Sequence, residues 1–225
     1  MKIFAIADLH FDHKKEKPMD IFGENWAGHE EKIIENWKHT VSPKDLVLIP
    51  GDISWALKLE DALGDLLKIE ELPGMKIIGK GNHDYWWSTS SKLESLGLKT
   101  IKFLKNNSFI YDEIAVCGTR GWDSKEDRSN EKIFLRELNR LRLSLDSVTN
   151  AEKIIAMLHY PPFSSEGLPN EFFSILEEYK VSICIYGHLH GVAGHKNIKE
   201  GIFDNIMVHC VSSDYIDFKL KRIDT

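Results

Sequence analysis

Short apolar runs alternate with amphipathic stretches along most of this chain. Residues 2–7, 45–50, 75–79, 114–118, 153–158 and 181–186 are near-continuous apolar runs, the pattern of strands covered on both faces. Between them lie helical periodicities. Residues 30–38 put Ile33, Ile34 and Trp37 on one face, and residues 57–69 do the same with Leu59, Ala62, Leu63, Leu66 and Leu67. Strand, helix and strand in succession predict crossover connections and a largely parallel sheet. Residues 98–111 alternate more and predict antiparallel additions. In residues 121–149 a polar, charged segment is followed by Phe134, Leu138, Leu141, Leu145 and Val148, with Arg136, Arg140 and Arg142 off that stripe. This predicts an amphipathic helix packed on the sheet; the alternative is a substrate-choosing cap formed by residues 120–149. In the tail, residues 206–211 and 215–219 read as two strands of a second sheet, joined by a Ser212-Ser213-Asp214 turn. No repeat or linker interrupts the pattern, so one domain over residues 1–225 is expected.

Composition narrows this reading. Hydrophobic residues make up 42% of the chain and include six Trp and eleven Phe, enough for a sizeable core. No apolar run approaches the ~20 residues of a membrane span. The first run is broken by Asp8 and lacks a cleavage site, so it reads as a strand rather than a signal peptide. A net charge of −6 argues against a general nucleic-acid surface, but not against phosphate substrates. Cys117, Cys184 and Cys210 are isolated in apolar runs. They are expected to be buried thiols in a reducing, cytoplasmic compartment.

The ends of the apolar runs carry the chemistry. Asp8-Leu9-His10 follows the first, Gly51-Asp52 the second, and Gly81-Asn82-His83-Asp84 comes just after the third. His159 follows the fifth and Gly187-His188-Leu189-His190 the sixth. Ligands of α/β sheets gather outside the carboxyl ends of the strands. Side chains two apart on an extended strand share a side, ~6.6 Å apart along the chain. Asp8 with His10, and His188 with His190, are therefore expected to converge. Asp8, His10, Asp52, Asn82, His159, His188 and His190 form a candidate ligand set for two divalent metal ions. Asp52 is the candidate bridge, because each carboxylate oxygen can serve one ion. Mixed His and carboxylate ligands suit Mn, Fe, Co, Ni or Zn better than Ca or Mg, with Mn or Fe the leading expectation.

The order Asp-x-His, Gly-Asp, Gly-Asn-His-Asp, His, Gly-His-x-His resembles that of the calcineurin-like metallophosphoesterase superfamily. The resemblance spans residues 8–190, with no ligand missing. It implies an α/β fold, a four-layer αββα sandwich of two mixed sheets flanked by helices. It also implies one ion on Asp8, His10, Asp52 and His190 and another on Asp52, Asn82, His159 and His188. Two such ions clamp an in-line displacement at phosphorus and lower the pKa of a bridging water toward about 7. A bridging hydroxide as nucleophile and His83 as general acid for the leaving group are then expected.

Trp55 stands where phosphatases of the superfamily carry an acidic residue that orients the catalytic His, and where purple acid phosphatases carry a tyrosine ligand. A tyrosinate–iron site is not expected, and Asp84 becomes the candidate to orient His83. The chain resembles more the small bacterial-type phosphohydrolases and cyclic-nucleotide-type phosphodiesterases, with a small-molecule diester substrate ahead of a monoester. Trp55, Trp86 and Tyr160 are candidate walls for a base or aryl group, and Arg120 a candidate phosphate partner. His13, His29, His39, His195 and His209 lie outside the motifs and are expected to be structural, His13 with the strongest claim to line the pocket. Two other readings stand beside this one. One is a lipid-linked pyrophosphate hydrolase whose Phe134 stripe faces a membrane; the other is a non-catalytic metal-binding scaffold for protein interaction.

Overall fold

The period of two along each strand sorts the side chains into layers. The computed structural model describes residues 1–123 and 128–225. Along the chain run β1 (Ile3–Ala5), α1 (His29–Thr40), β2 (Leu46–Pro50), α2 (Leu59–Glu70), β3 (Met75–Gly79), α3 (Ser90–Glu94), β4 (Ile101–Phe103), β5 (Phe109–Tyr111) and β6 (Ile114–Thr119). There follow α4 (Arg128–Asp146), β7 (Lys153–Leu158), α5 (Glu171–Glu178), β8 (Ile183–Tyr186), α6 (Gly191–His195), β9 (Gly201–Phe203), β10 (Ile206–Cys210) and β11 (Lys221–Ile223). Ile3, Ala5, Leu46 and Leu48 meet Val116, Ile155, Met157, Ile183 and Ile185 in the layer between two sheets. The alternate residues Phe4, Val47 and Ile49 pack outward on Ile33 and Trp37 of α1 and Ala62, Leu66 and Ile69 of α2. On the other side Ala115, Cys117, Ala156, Leu158 and Cys184 pack on Phe134, Leu141 and Leu145 of α4 and on Phe172, Phe173 and Leu176 of α5. The result is helix, sheet, sheet, helix.

The first sheet has the order β11-β1-β2-β3-β4 and the second β5-β6-β7-β8-β10-β9. Both are parallel at the centre with antiparallel strands at edges: β11 on β1, β5 on β6 and β9 on β10. The inner parallel strands β1, β2, β3, β7 and β8 end at one edge of the sandwich, where the candidate ligands follow them.

Three sequence expectations change. Residues 98–111 do not form a single antiparallel unit, because β4 extends the first sheet in parallel and only β5 is antiparallel, in the second. The tail does not make a second strand at 215–219. Asp217 and Phe218 adopt left-handed backbone, with φ of 56° and 55°, and the buried Phe218 ring lies 5.1 Å from Trp26. The chain turns there and pairs afterwards, as β11, with β1 of the first sheet. Finally, Phe134, Leu141 and Leu145 are buried against the second sheet and α5, so the stripe that the lipid reading needed outside is covered inside. Of the candidate cap over residues 120–149, residues 124–127 lie outside the described residues. All three cysteines are buried and unpaired. No helix among the described residues is long and apolar enough to cross a membrane.

Candidate metal centre

The ligand loops are tightly turned and tied to one another. Asp8, His10, Asp52 and His188 have φ of 60°, 46°, 54° and 75°, a region that non-glycine residues enter at a cost. The convergence of Asp8 and His10 thus comes from left-handed turns beyond the end of β1, not from the pleat of an extended strand. Backbone bonds hold these turns: Asp8 N–H donates to Gly51 O and His10 N–H to Asp52 O, each at 3.0 Å. The side chains repeat the stitching. The Asp8 carboxylate accepts the His188 N–H at 2.9 Å, and Asp52 Oδ1 accepts the His83 N–H at 2.8 Å. The motif glycines permit this closeness. A Cβ on Gly81 would sit 2.0 Å from Asp52 Oδ1, and one on Gly187 would sit 2.5 Å from the Ala7 Cβ.

The seven candidate ligands come together as two groups that share Asp52. Asp8, His10, Asp52 and His190 each present a ligand atom, all within 4.8 Å of one another. His10 Nε2 faces His190 Nε2 at 3.3 Å, and His190 Nε2 lies 3.4 Å from Asp8 Oδ1. In the second group His159 Nε2 lies 2.6 Å from Asn82 Oδ1 and 3.4 Å from Asp52 Oδ2, and His188 Nδ1 lies 3.0 Å from Asn82 Oδ1. One of these contacts places a lone pair against a lone pair. The Nδ1 of His159 faces the Pro50 carbonyl at 3.0 Å and donates to it, so its Nε2 carries a lone pair toward an amide oxygen. Asp52 Oδ2 is buried without a hydrogen-bond partner. Donor atoms so crowded, and an orphaned oxygen between them, fit cations and little else.

The electrostatics agree. Burial and the Asp8 charge push the Asp52 carboxyl up to about 8. Burial also disfavours the Asp8 carboxylate, but His190, with His159 and His10, holds it well below the usual range. Burial, then His159, pulls His188 down to about 3. His190 resists its own burial, because Asp8 and Asp214 push it up to about 10.

Asp214 is a residue of this site that the sequence reading passed over. Its Oδ1 accepts from His190 Nδ1 at 3.2 Å, which aims Nε2 at the cluster. Its Oδ2 accepts the Gly191 N–H at 2.8 Å and lies 3.2 Å from His195 Nε2. The signal was present: Ser212-Ser213-Asp214 follows an apolar strand just as the five motifs do. Ser213 belongs to the same device, since its hydroxyl donates to the Asp8 carbonyl at 2.8 Å. His29 also gains a role, its Nε2 lying 3.2 Å from the His10 carbonyl.

The remaining candidates divide. Trp55 stacks on His10 with centroids 4.6 Å apart and lies 4.6 Å from His83. With Met19, Phe22, Trp26, His83 and His190 these two rings line a cavity of about 180 Å³. Tyr160 packs on His188 at 4.1 Å. Trp86 is a correction: it is buried, packs on Trp87 and Phe103, and donates its indole N–H to Asp84 at 3.0 Å, so it does not face the cavity. Arg120 turns from the cluster toward Glu137 at 3.4 Å and stacks on Trp122. Asp84 does not orient His83. Its carboxylate accepts the backbone N–H groups of Asp52, Ile53 and Gly81 at 2.9, 2.9 and 2.7 Å. His13 packs instead against Gly64 of α2.

The sequence profile of the calcineurin-like phosphoesterases matches residues 1–192. The chain belongs to that family. This phosphoesterase is a metal-dependent phosphohydrolase that acts with divalent ions. No curated protein matches its sequence. Among solved structures, the phosphoesterase is similar to AQ665 from Aquifex aeolicus, a protein of unknown function. The identity is 17% and the TM-score 0.51, over 98% of this chain and 95% of that one. It is also similar to the phosphopantetheinyl hydrolase PptH from Mycobacterium tuberculosis, with 12% identity, a TM-score of 0.59, and 99% and 95% of the chains covered. TT1561 from Thermus thermophilus matches at 12% identity and a TM-score of 0.53, over 99% and 98%. At these identities the likeness establishes the fold.

Proposed function

We propose that the phosphoesterase cleaves a small organic phosphodiester, with His83 as general acid. Asp8, His10, Asp52 and His190 would hold one ion, and Asp52, Asn82, His159 and His188 the other. The observation that carries this reading is the orphaned Asp52 Oδ2, 3.8 Å from His10 Nε2 on one side and 3.4 Å from His159 Nε2 on the other. Mn or Fe suits this mixed donor set. Two bound ions supply Lewis acidity toward phosphate oxygens and ionise a water near neutral pH.

The chain's own residues supply the rest. Asp52 fixes the backbone of His83, and Trp55 packs on its ring, so the imidazole borders the aromatic cavity without a hydrogen bond of its own among the described residues. A leaving group in that cavity lies beside a proton donor. Burial, with His159 and His190, lowers the His83 pKa; the charge of a bound phosphate acts in the opposite direction and helps it keep its proton. Two cavities open on different ligands, the aromatic one on His10 and His190, beside His83, and a second of about 230 Å³ on His159. A diester has a substituent for each, whereas a monoester fills only one.

The test is hydrolysis by the Mn²⁺-loaded protein. Bis-p-nitrophenyl phosphate is expected to exceed p-nitrophenyl phosphate in kcat/KM. His83→Ala should cost about 10²–10⁴ on a phenyl ester and less on a p-nitrophenyl ester, whose leaving group needs less protonation. Equal losses on both esters would remove His83 from the acid role, and a monoester preference would reverse the diester reading.

A further inference from the structure

We propose that the cleft beside His159 is a second anion subsite, and that the phosphoester cleaved at the metal centre carries a further phosphate or carboxylate that Lys80, Lys105, Arg120 and Arg140 bind. The inference deepens the proposed function and rests on it. The cleft, of about 230 Å³, lies where β2, β3, β6 and β7 end, and His159 forms part of its wall. The same imidazole faces Asn82 and Asp52, so the cleft adjoins the candidate ligands directly.

Its charge is one-sided. Lys80 leaves the end of β3, Lys105 the end of β4 and Arg120 the end of β6, while Arg140 reaches in from α4. Among the described residues, Glu137 is the only carboxylate in the lining. It is fully buried. Its Oε2 accepts from the Thr119 hydroxyl at 2.5 Å, and its Oε1 lies 2.6 Å from Arg140 Nη1 and 3.4 Å from Arg120 Nη2. One carboxylate therefore positions two guanidiniums and neutralises only one. The Arg120 Nε is buried without a partner, and its guanidinium is held 4.5 Å over Trp122. Lys105 Nζ donates to a neutral acceptor, the Ser88 carbonyl, at 2.9 Å. Among the described residues, Lys80 has neither a hydrogen bond nor an ion pair from its ammonium.

A chain with a net charge of −6 has gathered four cations around one cavity. Packing like charges together disfavours the fold unless something negative joins them. Planar guanidiniums held by a buried acid, beside ammoniums that no carboxylate among the described residues neutralises, suit a phosphate or carboxylate. The aromatic cavity then takes the less polar end of the substrate and this cleft the charged end.

The experiment is calorimetric titration of the Mn²⁺-loaded protein with methylphosphonate and with α,ω-alkylene bisphosphonates of increasing spacer length, while bis-p-nitrophenyl phosphate hydrolysis is followed on the same preparation. A bisphosphonate long enough to span both sites is expected to bind about tenfold more tightly than methylphosphonate. Lys80→Gln and Arg140→Gln should each reduce that ratio several-fold, and Leu135→Ala, on the exposed side of α4, should preserve it. An unchanged ratio in both Gln variants would mean chelation at the metals alone and would overturn the subsite. So would inorganic sulfate that binds in the cleft without weakening the bisphosphonate. Absent turnover with the ratio intact would sink the hydrolytic reading and leave the subsite standing; turnover with a ratio near one would do the reverse.

Discussion

Asp84 accepts the backbone N–H of Asp52 at 2.9 Å, so the last residue of Gly-Asn-His-Asp builds the loop that carries the candidate bridge rather than orienting the histidine beside it. The same carboxylate takes the N–H groups of Ile53 and Gly81 and the Trp86 indole. Burial and the Asp52 charge push its carboxyl up to about 6, which still leaves it ionised at neutral pH.

Asp84→Ala strips five buried donors of their acceptor, the Ser54 N–H at 3.4 Å being the fifth. Each orphaned donor costs about 1–3 kcal/mol, and local relaxation recovers part of the sum. The expected loss is at least about 3 kcal/mol in denaturant unfolding, with Asp84→Asn losing less because its amide oxygen keeps some of the bonds. A loss below about 1 kcal/mol in Asp84→Ala would show that these bonds are not what hold the loop.

Asp214→Ala frees His190 Nδ1 and the Gly191 N–H, and the His190 ring loses its aim. Such outer partners of metal-bound histidines are worth about 10- to 100-fold in metal affinity. We expect Mn²⁺ binding to weaken by that factor and excess Mn²⁺ to restore most of the activity. Unchanged affinity would reduce Asp214 to a loop residue.

Metal removal should make stability sensitive to alkaline pH. Asp52, raised from 3.8 to about 8, and His190, raised from 6.5 to about 10, both hold their protons more tightly folded than unfolded. The His190 contribution is complete below pH 6.5 and is lost as pH rises through about 10; that of Asp52 has faded by about 8. Both therefore lower stability as pH climbs above neutral. Ions need these ligands deprotonated, so their binding releases protons and strengthens with pH. The Tm of stripped protein should fall from about pH 7 to about pH 9, and the gap to Mn²⁺-loaded protein should widen. A constant gap would contradict these proton affinities.

Much of this was legible because strand ends and ligand motifs coincide in the sequence. Apolar runs at residues 45–50, 75–79 and 153–158 became β2, β3 and β7, and the residues after them reached the cluster. What escaped depended on contacts distant in sequence. Asp214 looked like a turn residue because its partner His190 lies in another loop. Trp86 looked like a wall because nothing in Tyr85-Trp86-Trp87 tells which ring faces inward. The tail misled because Tyr215, Ile216 and Phe218 carry strand-like side chains, while left-handed backbone at Asp217 and Phe218 and the packing of Phe218 on Trp26 decide a turn. The cationic cleft was invisible because its four basic residues come from β3, β4, β6 and α4.

The measurement to make first is the number of Mn²⁺ ions bound per chain, taken by equilibrium dialysis alongside bis-p-nitrophenyl phosphate hydrolysis in the wild type and in Asp52→Ala. Because Asp52 belongs to both ligand groups, the wild type should bind two ions, with activity appearing as the second is taken up, and Asp52→Ala should lose both the second ion and turnover. Full activity with a single ion, or two ions and undiminished turnover in Asp52→Ala, would contradict a dinuclear centre bridged by Asp52.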